Sequence, residues 1–533
     1  MRHRAEDRHR ARGVAGARRP SVLSMTNTAV SAAAHPTAQP PAPQTPAHRH
    51  TWLLLLLGTA TMLFAVGGRW DIAVAAWIYP VLLLRLNRLS RAWSGALWIW
   101  LAHLGAAVFW VQESAIGFNA VVFAGAVALA AIQTLPFLAD RLLVHRLRPA
   151  PAALVLPAGV AAAEFLITLV SPFGTAYGSL AVTQHADLPL LQIASVTGPW
   201  GVGFLIGCVA STVNRVWDRP SWRGGLACTA VLLSVLLAGS ARLAFFPPQG
   251  ATVRIAGVSP ARTVTERLQT TLARFAGSQG GVAAAPVASV RPAMTAVEDD
   301  LLASTRREAA AGAKIVIWPE NAVRTQESQE PAAIAAARAQ ARRSGIYLEI
   351  GIRVYSTTAP AYGRDEALLI DPRGTVLWTY QKAHPIPGSE RYTPGDGHVP
   401  VVRTPYGRLA NVICYDADFP ALMRTRADIM LVPAHDWKEY GGAHTDKAAL
   451  AAVEGGYSLI RQDEEGVSAA YDDEGRVLAT ADYFATGGRQ TMVANVPVRG
   501  GTTVYDRVGD TFAWLCLGAL AALTVTALVR PRR

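Results

Sequence analysis

The chain is poor in charge. Asp, Glu, Lys and Arg make up 17% of its 533 residues, against about 25% in a typical soluble domain, while 51% are hydrophobic. That balance excludes an ordinary soluble protein. Cysteine is scarce too. Of Cys208, Cys228, Cys414 and Cys516, three lie in long apolar runs, and Cys414 stands alone in the large polar region. A disulfide framework within that region is therefore excluded. The sequence has no cluster with metal-ligand spacing and no phosphate-binding glycine loop, so no cofactor is expected. The net charge of +12 is not gathered into an aromatic-interleaved basic patch, which argues against a nucleic-acid partner.

What is present is a series of apolar runs. Residues 1–50 precede them, Arg-rich at first and then PTAQPPAPQTPAH, a low-complexity composition expected to be disordered. This stretch is too long and Pro-rich for the head of a simple secretory signal, so the run that follows reads as the first of several spans. Within 51–246 seven transmembrane helices are expected, at about 51–68, 71–86, 93–111, 117–138, 151–170, 188–212 and 224–246, each near the ~20 residues a bilayer requires. An eighth is expected at 511–529. The flanking charges alternate. One set of ends carries the leading Arg-rich segment, Arg85/Arg88/Arg91, Arg141/Arg146/Arg148, Arg215/Arg219/Arg223 and Arg530/Arg532/Arg533. The other has Arg69 with Asp71, then Glu113, then a 171–187 segment without Lys or Arg. By the positive-inside rule both termini are cytoplasmic, and seven spans place 247–510 on the outer side of the cell membrane.

Residues 247–510 read as a globular α/β domain. Short apolar strands are expected at Val253–Val258, Lys314–Pro319, Tyr347–Val354, Ala367–Asp371, Leu409–Tyr415, Met430–Pro433, Tyr457–Arg461 and Met492–Val496. Ala-rich helical stretches fall at about 295–311, 331–344, 420–427 and 443–455, a pattern that suggests a layered fold. The Gly- and Ala-rich 275–293 segment reads as a mobile loop.

Three strand ends finish on reactive side chains: Glu320 in KIVIWPEN, Lys382 in LWTYQKAHPIPGSE with Glu390 eight residues on, and Cys414 in RLANVICYDADFP. Ligands gather at the carboxyl ends of strands in layered α/β folds. Together these groups suit nucleophilic acyl transfer. A thiol needs a base or a nearby cation to react at neutral pH. Glu320 can take its proton, Lys382 can stabilise thiolate and oxyanion, and backbone N–H groups after Cys414, including that of Tyr415, can complete an oxyanion hole. Each residue also has a plain reading, as loop acid, surface charge or core cysteine, and only a shared pocket distinguishes the two. His384, His435 and His444 lie nearby in sequence, but none has a spacing that compels a role.

IVIWPEN, YQKAHPIPGSE and VICYDADFP resemble the Glu, Lys and Cys motifs of the nitrilase superfamily of carbon–nitrogen hydrolases. With the flanking spans, and with LPLLQIASVTGPWGVGFLI, AAVEGGYSLIR and TTVYDRVGDTFAW, the chain resembles the apolipoprotein N-acyltransferase family. The resemblance implies a polytopic α-helical membrane protein with an extracytoplasmic αββα nitrilase-like domain. It implies Glu320 as general base, Lys382 as the charge-stabilising lysine, Cys414 as nucleophile, Glu390 as a supporting glutamate and Tyr415 as the residue after the nucleophile. The implied partners are a membrane phospholipid that donates an acyl chain and an apolipoprotein whose S-diacylglyceryl-cysteine amine accepts it. A membrane-anchored amidase and a silent lipoprotein-binding relative are the alternatives. The sequence departs from the family pattern in three places. Asp416 stands where glutamate is usual. Gln462-Asp463-Glu464-Glu465-Gly466 replaces a neutral run, forming either an amine-attracting patch or a solvated turn. The 433–442 segment PAHDWKEYGG is more polar than usual, although Trp437, a candidate substrate-binding residue, is kept.

Overall fold

The computed structural model describes residues 51–529 except 221, 249, 279 and 486; the segment expected to be disordered, 1–50, lies outside the described residues. Five of the described helices are long and apolar enough to cross a bilayer: Ala92–Glu113, Ala120–Arg146, Pro149–Val170, Trp222–Phe245 and Thr511–Val529. The first apolar run forms only Thr51–Met62. Its 12 residues rise about 18 Å, short of a ~30 Å hydrocarbon core, and it packs against Ala75–Leu89. The continuous span expected over 188–212 is broken. Leu188–Thr197 and Trp200–Asp218 meet at 115°, because Pro199 cannot extend the preceding turn. The apolar residues of 188–197 serve docking instead: Gln192 Nε2 donates to the Glu474 carbonyl of the α/β domain at 3.0 Å.

The two ends of the helical region differ sharply. At one end Arg88 pairs with Asp140 at 2.9 Å, Arg85 pairs with Asp218, and Arg141 Nη2 donates to the Ser90 carbonyl at 3.0 Å. This is the arginine-rich set of ends read from the sequence. The α/β domain packs on the opposite, arginine-poor ends, through Ser114, Pro172, Thr175 and Ala176.

The α/β domain holds thirteen strands: β1 (Thr252–Val258), β2 (Ile315–Ile317), β3 (Val323–Gln326), β4 (Tyr347–Tyr355), β5 (Gly363–Ile370), β6 (Val376–Gln381), β7 (Val401–Thr404), β8 (Gly407–Asn411), β9 (Ile429–His435), β10 (Ser458–Glu464), β11 (Val467–Tyr471), β12 (Val477–Asp482) and β13 (Thr491–Pro497). They form two mixed sheets, ordered β13-β1-β2-β4-β5-β6, with β3 also on β4, and β12-β11-β10-β9-β8-β7. Period-2 alternation explains the layering. Val253, Ile255, Ile315 and Ile317 of one sheet meet Leu409, Ile429, Leu431 and Ile460 of the other. The intervening Ala256, Val258, Val316 and Trp318 face the helices Arg262–Ala273, Val287–Ala310 and Glu330–Ser344. On the second sheet Met430, Val432 and Leu459 face Gly441–Gly455 and the apolar helices beyond. The result is an αββα sandwich. The stretch expected as a mobile loop is largely helical: Gly281–Ala284 is one turn, and the helix Val287–Ala310 begins well before the expected 295, burying Val290, Ala293 and Met294. The expected 420–427 helix is shortened to Pro420–Met423.

Candidate active site

Glu320 follows β2, and Lys382 closes β6. Gly351 on β4 permits their approach, since a β-carbon there would fall 2.0 Å from the Pro319 carbonyl oxygen and 2.8 Å from the Glu320 Cα. Lys382 is fully buried. Its Nζ donates to Glu320 Oε1 at 2.7 Å and Glu390 Oε1 at 2.8 Å, and Asp365 Oδ2 lies 3.9 Å away. Glu390 is positioned in turn by the Ile386 N–H, 2.8 Å from its Oε2. One cation therefore sits among three carboxyls. Burial works against the Lys382 ammonium, but Glu320 and Glu390 override it and hold its pKa well above the usual range. Burial likewise raises Glu320, yet Lys382 and a hydrogen bond from Asp365 leave that acid below its ordinary value. Asp365 takes the opposite course. Burial and the neighbouring Glu320 charge push it well above the carboxylate range, because like charges this close do not both ionise.

Cys414 begins a 3-10 turn over Cys414–Asp418 directly after β8 and an extended pair of residues. Its φ is +47°, a left-handed conformation that costs an L-residue about 1–2 kcal/mol. The strain is held by Asp416. This carboxylate accepts from the Tyr380 hydroxyl at 2.8 Å, from the His384 N–H at 2.8 Å and from the Ala383 N–H at 3.2 Å. Asp416 thereby ties the Cys414 turn to the segment just after Lys382. The shorter acid at this position is fully bonded. His384 rests on Asp416 and stacks on Phe419 with ring centroids 3.6 Å apart.

The three residues singled out in the sequence are brought together. Burial raises the Cys414 thiol well above its normal range, and Glu320 adds to this, while Lys382 and Arg461 pull it down. The resting side chain is therefore a thiol that senses the charges of Glu320 and Lys382. Cys414 Sγ lies 4.0 Å from the His435 carbonyl oxygen and from Asp436 Oδ1, and 3.9 Å from Arg461 Nη2.

Behind the thiol lies a second buried cluster that the motifs did not reveal. Arg461 Nη2 donates to Asp436 Oδ2 at 2.8 Å. His444 sits between two acids, Nδ1 2.8 Å from Asp436 Oδ1 and Nε2 3.0 Å from Asp418 Oδ2. Lys447 Nζ donates to Asp418 Oδ1 at 3.2 Å, Tyr440 Oη at 2.8 Å and the Ala176 carbonyl at 3.0 Å. Burial outweighs Asp418 at Lys447 and lowers that ammonium. Burial works against the Asp418 carboxylate, but the neighbouring Lys447 and His444 side chains hold it down to about 2. A signal was available. The chain contains only four lysines, and Lys382 and Lys447 are the two that are buried.

This cluster reaches the apolar helices. The Tyr415 hydroxyl donates to the Pro172 carbonyl at 3.0 Å, and the Asp418 carbonyl accepts from the Thr175 N–H at 2.8 Å. Gly174, at φ +52°, lets the loop come this close, since a β-carbon would lie 2.4 Å from the Asp418 carbonyl oxygen. Trp437 belongs to the same junction. Its indole donates to the Ser114 carbonyl at 2.5 Å and stacks on Tyr440 at 5.1 Å.

The acidic 462–466 run is neither a solvated turn nor an exposed patch. It is the buried end of β10 and a two-residue hairpin turn, with Glu465 at φ +63°. Gln462 Nε2 donates to Ser259 Oγ at 2.9 Å, Asp463 accepts from the Asp436 N–H at 3.0 Å, and Glu464 accepts from Thr265 Oγ1 at 3.2 Å. Internal partners on the facing strand and helix explain why this polar segment can be buried.

Comparison with known proteins gives matches on both parts of the chain. Residues 259–503 match the carbon–nitrogen hydrolase family, and residues 47–212 match the apolipoprotein N-acyltransferase N-terminal domain. An apolipoprotein N-acyltransferase of Geobacter metallireducens is 25% identical over 411 residues, covering 69% of this chain and 71% of the relative. One from Bradyrhizobium diazoefficiens is 27% identical over 403 residues, covering 67% and 70%. Among solved structures, an amidase from Nesterenkonia sp. is 21% identical with a TM-score of 0.37, covering 49% of this chain and 95% of the amidase.

Proposed function

We propose that this chain, whose two parts match the apolipoprotein N-acyltransferase N-terminal domain and the carbon–nitrogen hydrolase family, is a membrane protein of the apolipoprotein N-acyltransferase type that moves an acyl chain from a phospholipid through a thioester on Cys414 to the N-terminal amine of a lipoprotein. The observation that carries this reading is the position of the Glu320–Lys382–Cys414 centre, which is buried within the α/β domain yet joined to the apolar helices through Tyr415 and Asp418. A soluble acyl donor would not require that junction.

In the first half-reaction Cys414 Sγ attacks the ester carbonyl while Glu320 takes the thiol proton. Lys382 and the N–H of Tyr415 stabilise the oxyanion. The C–O bond breaks, and Glu320 returns the proton to the departing lysophospholipid oxygen. In the second, Glu320 takes a proton from the acceptor amine as it attacks the thioester. The C–S bond breaks, the amide forms and Cys414 is reprotonated. The fixed ammonium of Lys382 stays charged throughout. The neutral Asp365 beside it limits the number of charges in the site.

The positive-inside rule applied to the arginine-paired ends places them in the cytoplasm and the α/β domain on the outer side, where lipid and lipoprotein are both present. The internal bonding of residues 462–464 removes them from substrate contact, and with them the main chemical objection to a lipoprotein amine as acceptor. The test is mass spectrometry of lipoprotein N-termini from cells that lack the protein, carry it, or carry Cys414→Ala. An added acyl group is expected only with the unaltered chain. Identical N-termini in all three would refute the proposal.

A further inference from the structure

The cavity beside this centre holds more cationic charge than acyl transfer uses. About 500 Å³ opens between Asn321, Arg324, Arg353, Arg391, Tyr392 and His435. Its walls belong to the reacting centre. Glu390, which also lines it, accepts from Lys382 at 2.8 Å, and the His435 carbonyl oxygen lies 4.0 Å from Cys414 Sγ. Among the described residues no carboxylate forms an ion pair with Arg324, Arg353 or Arg391. Arginines with structural duties in this domain are paired: Arg364 with Glu327, Glu330 and Glu366, Arg408 with Asp428, and Arg461 with Asp436. The cavity arginines are instead held by uncharged groups. Arg353 lies over the rings of Tyr355 and Tyr392 at 4.7 and 4.9 Å. Arg324 Nε donates to the Asn321 carbonyl at 3.2 Å. Arg391 is exposed at the rim. The nearby carboxylates are already engaged, Glu390 by Lys382 and Glu465 by Gln269 and His435.

The rim also touches the helical region. A β-carbon on Gly388 would lie 3.1 Å from Asn119 Nδ2. The Asn119 side chain caps the bilayer-length helix that begins at Ala120, accepting from Val121 and Val122 N–H. Phe118, Val121 and Phe123 are exposed around that cap, as lipid-facing residues would be. A cationic cavity thus adjoins both the thiol and the end of a spanning helix.

We propose that Arg324, Arg353 and Arg391 bind the phosphodiester of the lipid acyl donor and so present its ester to Cys414. Guanidinium forks match phosphate oxygens bidentately. With three arginines and one lining carboxylate, Glu390, already held by Lys382, the cavity favours donors whose head group carries net negative charge over zwitterionic ones. This inference rests on the acyl-transfer reading and deepens it.

The test uses the full chain in mixed micelles, following acylation of Cys414 by phosphatidylglycerol, by phosphatidylethanolamine and by diacylglycerol, which lacks phosphate. Arg324→Gln/Arg391→Gln is compared with the unaltered protein and with Arg403→Gln, an exposed change on β7. The double variant is expected to raise KM for phosphatidylglycerol about tenfold with kcat little changed. It should lose the preference for phosphatidylglycerol over phosphatidylethanolamine and acylate from diacylglycerol at the unaltered rate. Arg403→Gln should match the unaltered protein throughout. An unchanged KM in the double variant, or an equal loss with diacylglycerol, would overturn the inference. Inorganic phosphate as competitor separates the two sources of the anion. If it inhibits through these arginines while KM for phospholipid is unmoved, the cavity binds free anions and the lipid assignment is wrong. If the unaltered protein acquires no acyl group from any donor, the acyl-transfer reading itself fails. If it does, and the variant is indistinguishable from it, only the arginine assignment fails.

Discussion

Two buried charge clusters meet at Cys414, and they are built on different plans. Around Lys382, one cation faces Glu320, Asp365 and Glu390. Around His444, acids alternate with basic side chains from Arg461 through Asp436, His444 and Asp418 to Lys447. The first cluster has an excess of acid. It keeps a lysine protonated, one glutamate ionised and one aspartate neutral, a state suited to moving a proton on and off a thiol. In the second no acid lacks a basic neighbour, and it runs from Cys414 to the loop at the apolar helices. The difference suggests a division of labour in which one cluster performs the chemistry and the other fixes where it happens relative to the membrane.

The comparison breaks most visibly in the first cluster. Lys382→Met strands the buried Glu320 and Asp365 and the half-buried Glu390. We expect acylation of Cys414 to fall at least about a thousandfold and stability to drop by about 3–5 kcal/mol, read by single-turnover acylation and urea unfolding. Cys414→Ala should abolish acylation entirely with a stability change below about 1.5 kcal/mol. If Lys382→Met acylated normally, the lysine would be structural only.

The second cluster should fail differently. Lys447→Met leaves Asp418 buried without its lysine and should cost about 3–5 kcal/mol, while Asp418→Leu/Lys447→Met recovers most of it; denaturant midpoints decide this. A double variant as unstable as the single would show that the pair is more than mutual compensation. The pH dependence follows from the same residue. Asp418 has a depressed pKa in the folded chain, about 2, so its contribution is fully present above the unfolded value of about 3.9 and fades as pH falls toward 2. Asp418→Asn should flatten that part of the acid-unfolding curve and leave neutral pH behaviour dominated by the lost pair. The last effect is at the contact itself. Gly174→Ala, at φ +52° with its β-carbon 2.4 Å from the Asp418 carbonyl oxygen, should cost at least about 1–2 kcal/mol through the left-handed backbone, with displacement of the junction added, read as a lowered Tm.

Much of the first cluster was legible because Glu320 and Lys382, like Cys414 beside them, follow an apolar strand within a compact motif and could be named from local sequence; Asp365 was not, because it lies inside β5 and carries no motif of its own. The strands themselves were visible from their apolar runs: β1, β2, β4, β10 and β13 lie close to where expected, whereas β8 ends at Asn411 and the expected end of that strand, Cys414-Tyr415, is a 3-10 turn. The second cluster was not legible because its members come from a strand end, a helix face and a 3-10 turn, none with a pattern of its own. His444 and Lys447 occupy one face of Gly441–Gly455, and nothing in their spacing reports that Asp418 lies opposite. The 462–466 segment misled for a related reason. Acidic residues in a row read as solvated until their partners, Ser259 and Thr265 from far earlier in the chain, are seen. The broken 188–218 region misled in the opposite sense, because apolar residues that dock on a domain look the same in sequence as those that face lipid.

The most direct test of the whole account is the mass of the Cys414 peptide after the purified chain meets phospholipid, before and after adding a diacylglyceryl-cysteine peptide. The account predicts an added mass of one acyl chain on Cys414 that the peptide amine removes, with the acyl group recovered on that amine. No adduct on Cys414, or an adduct discharged to free fatty acid with the peptide left unmodified, would contradict it.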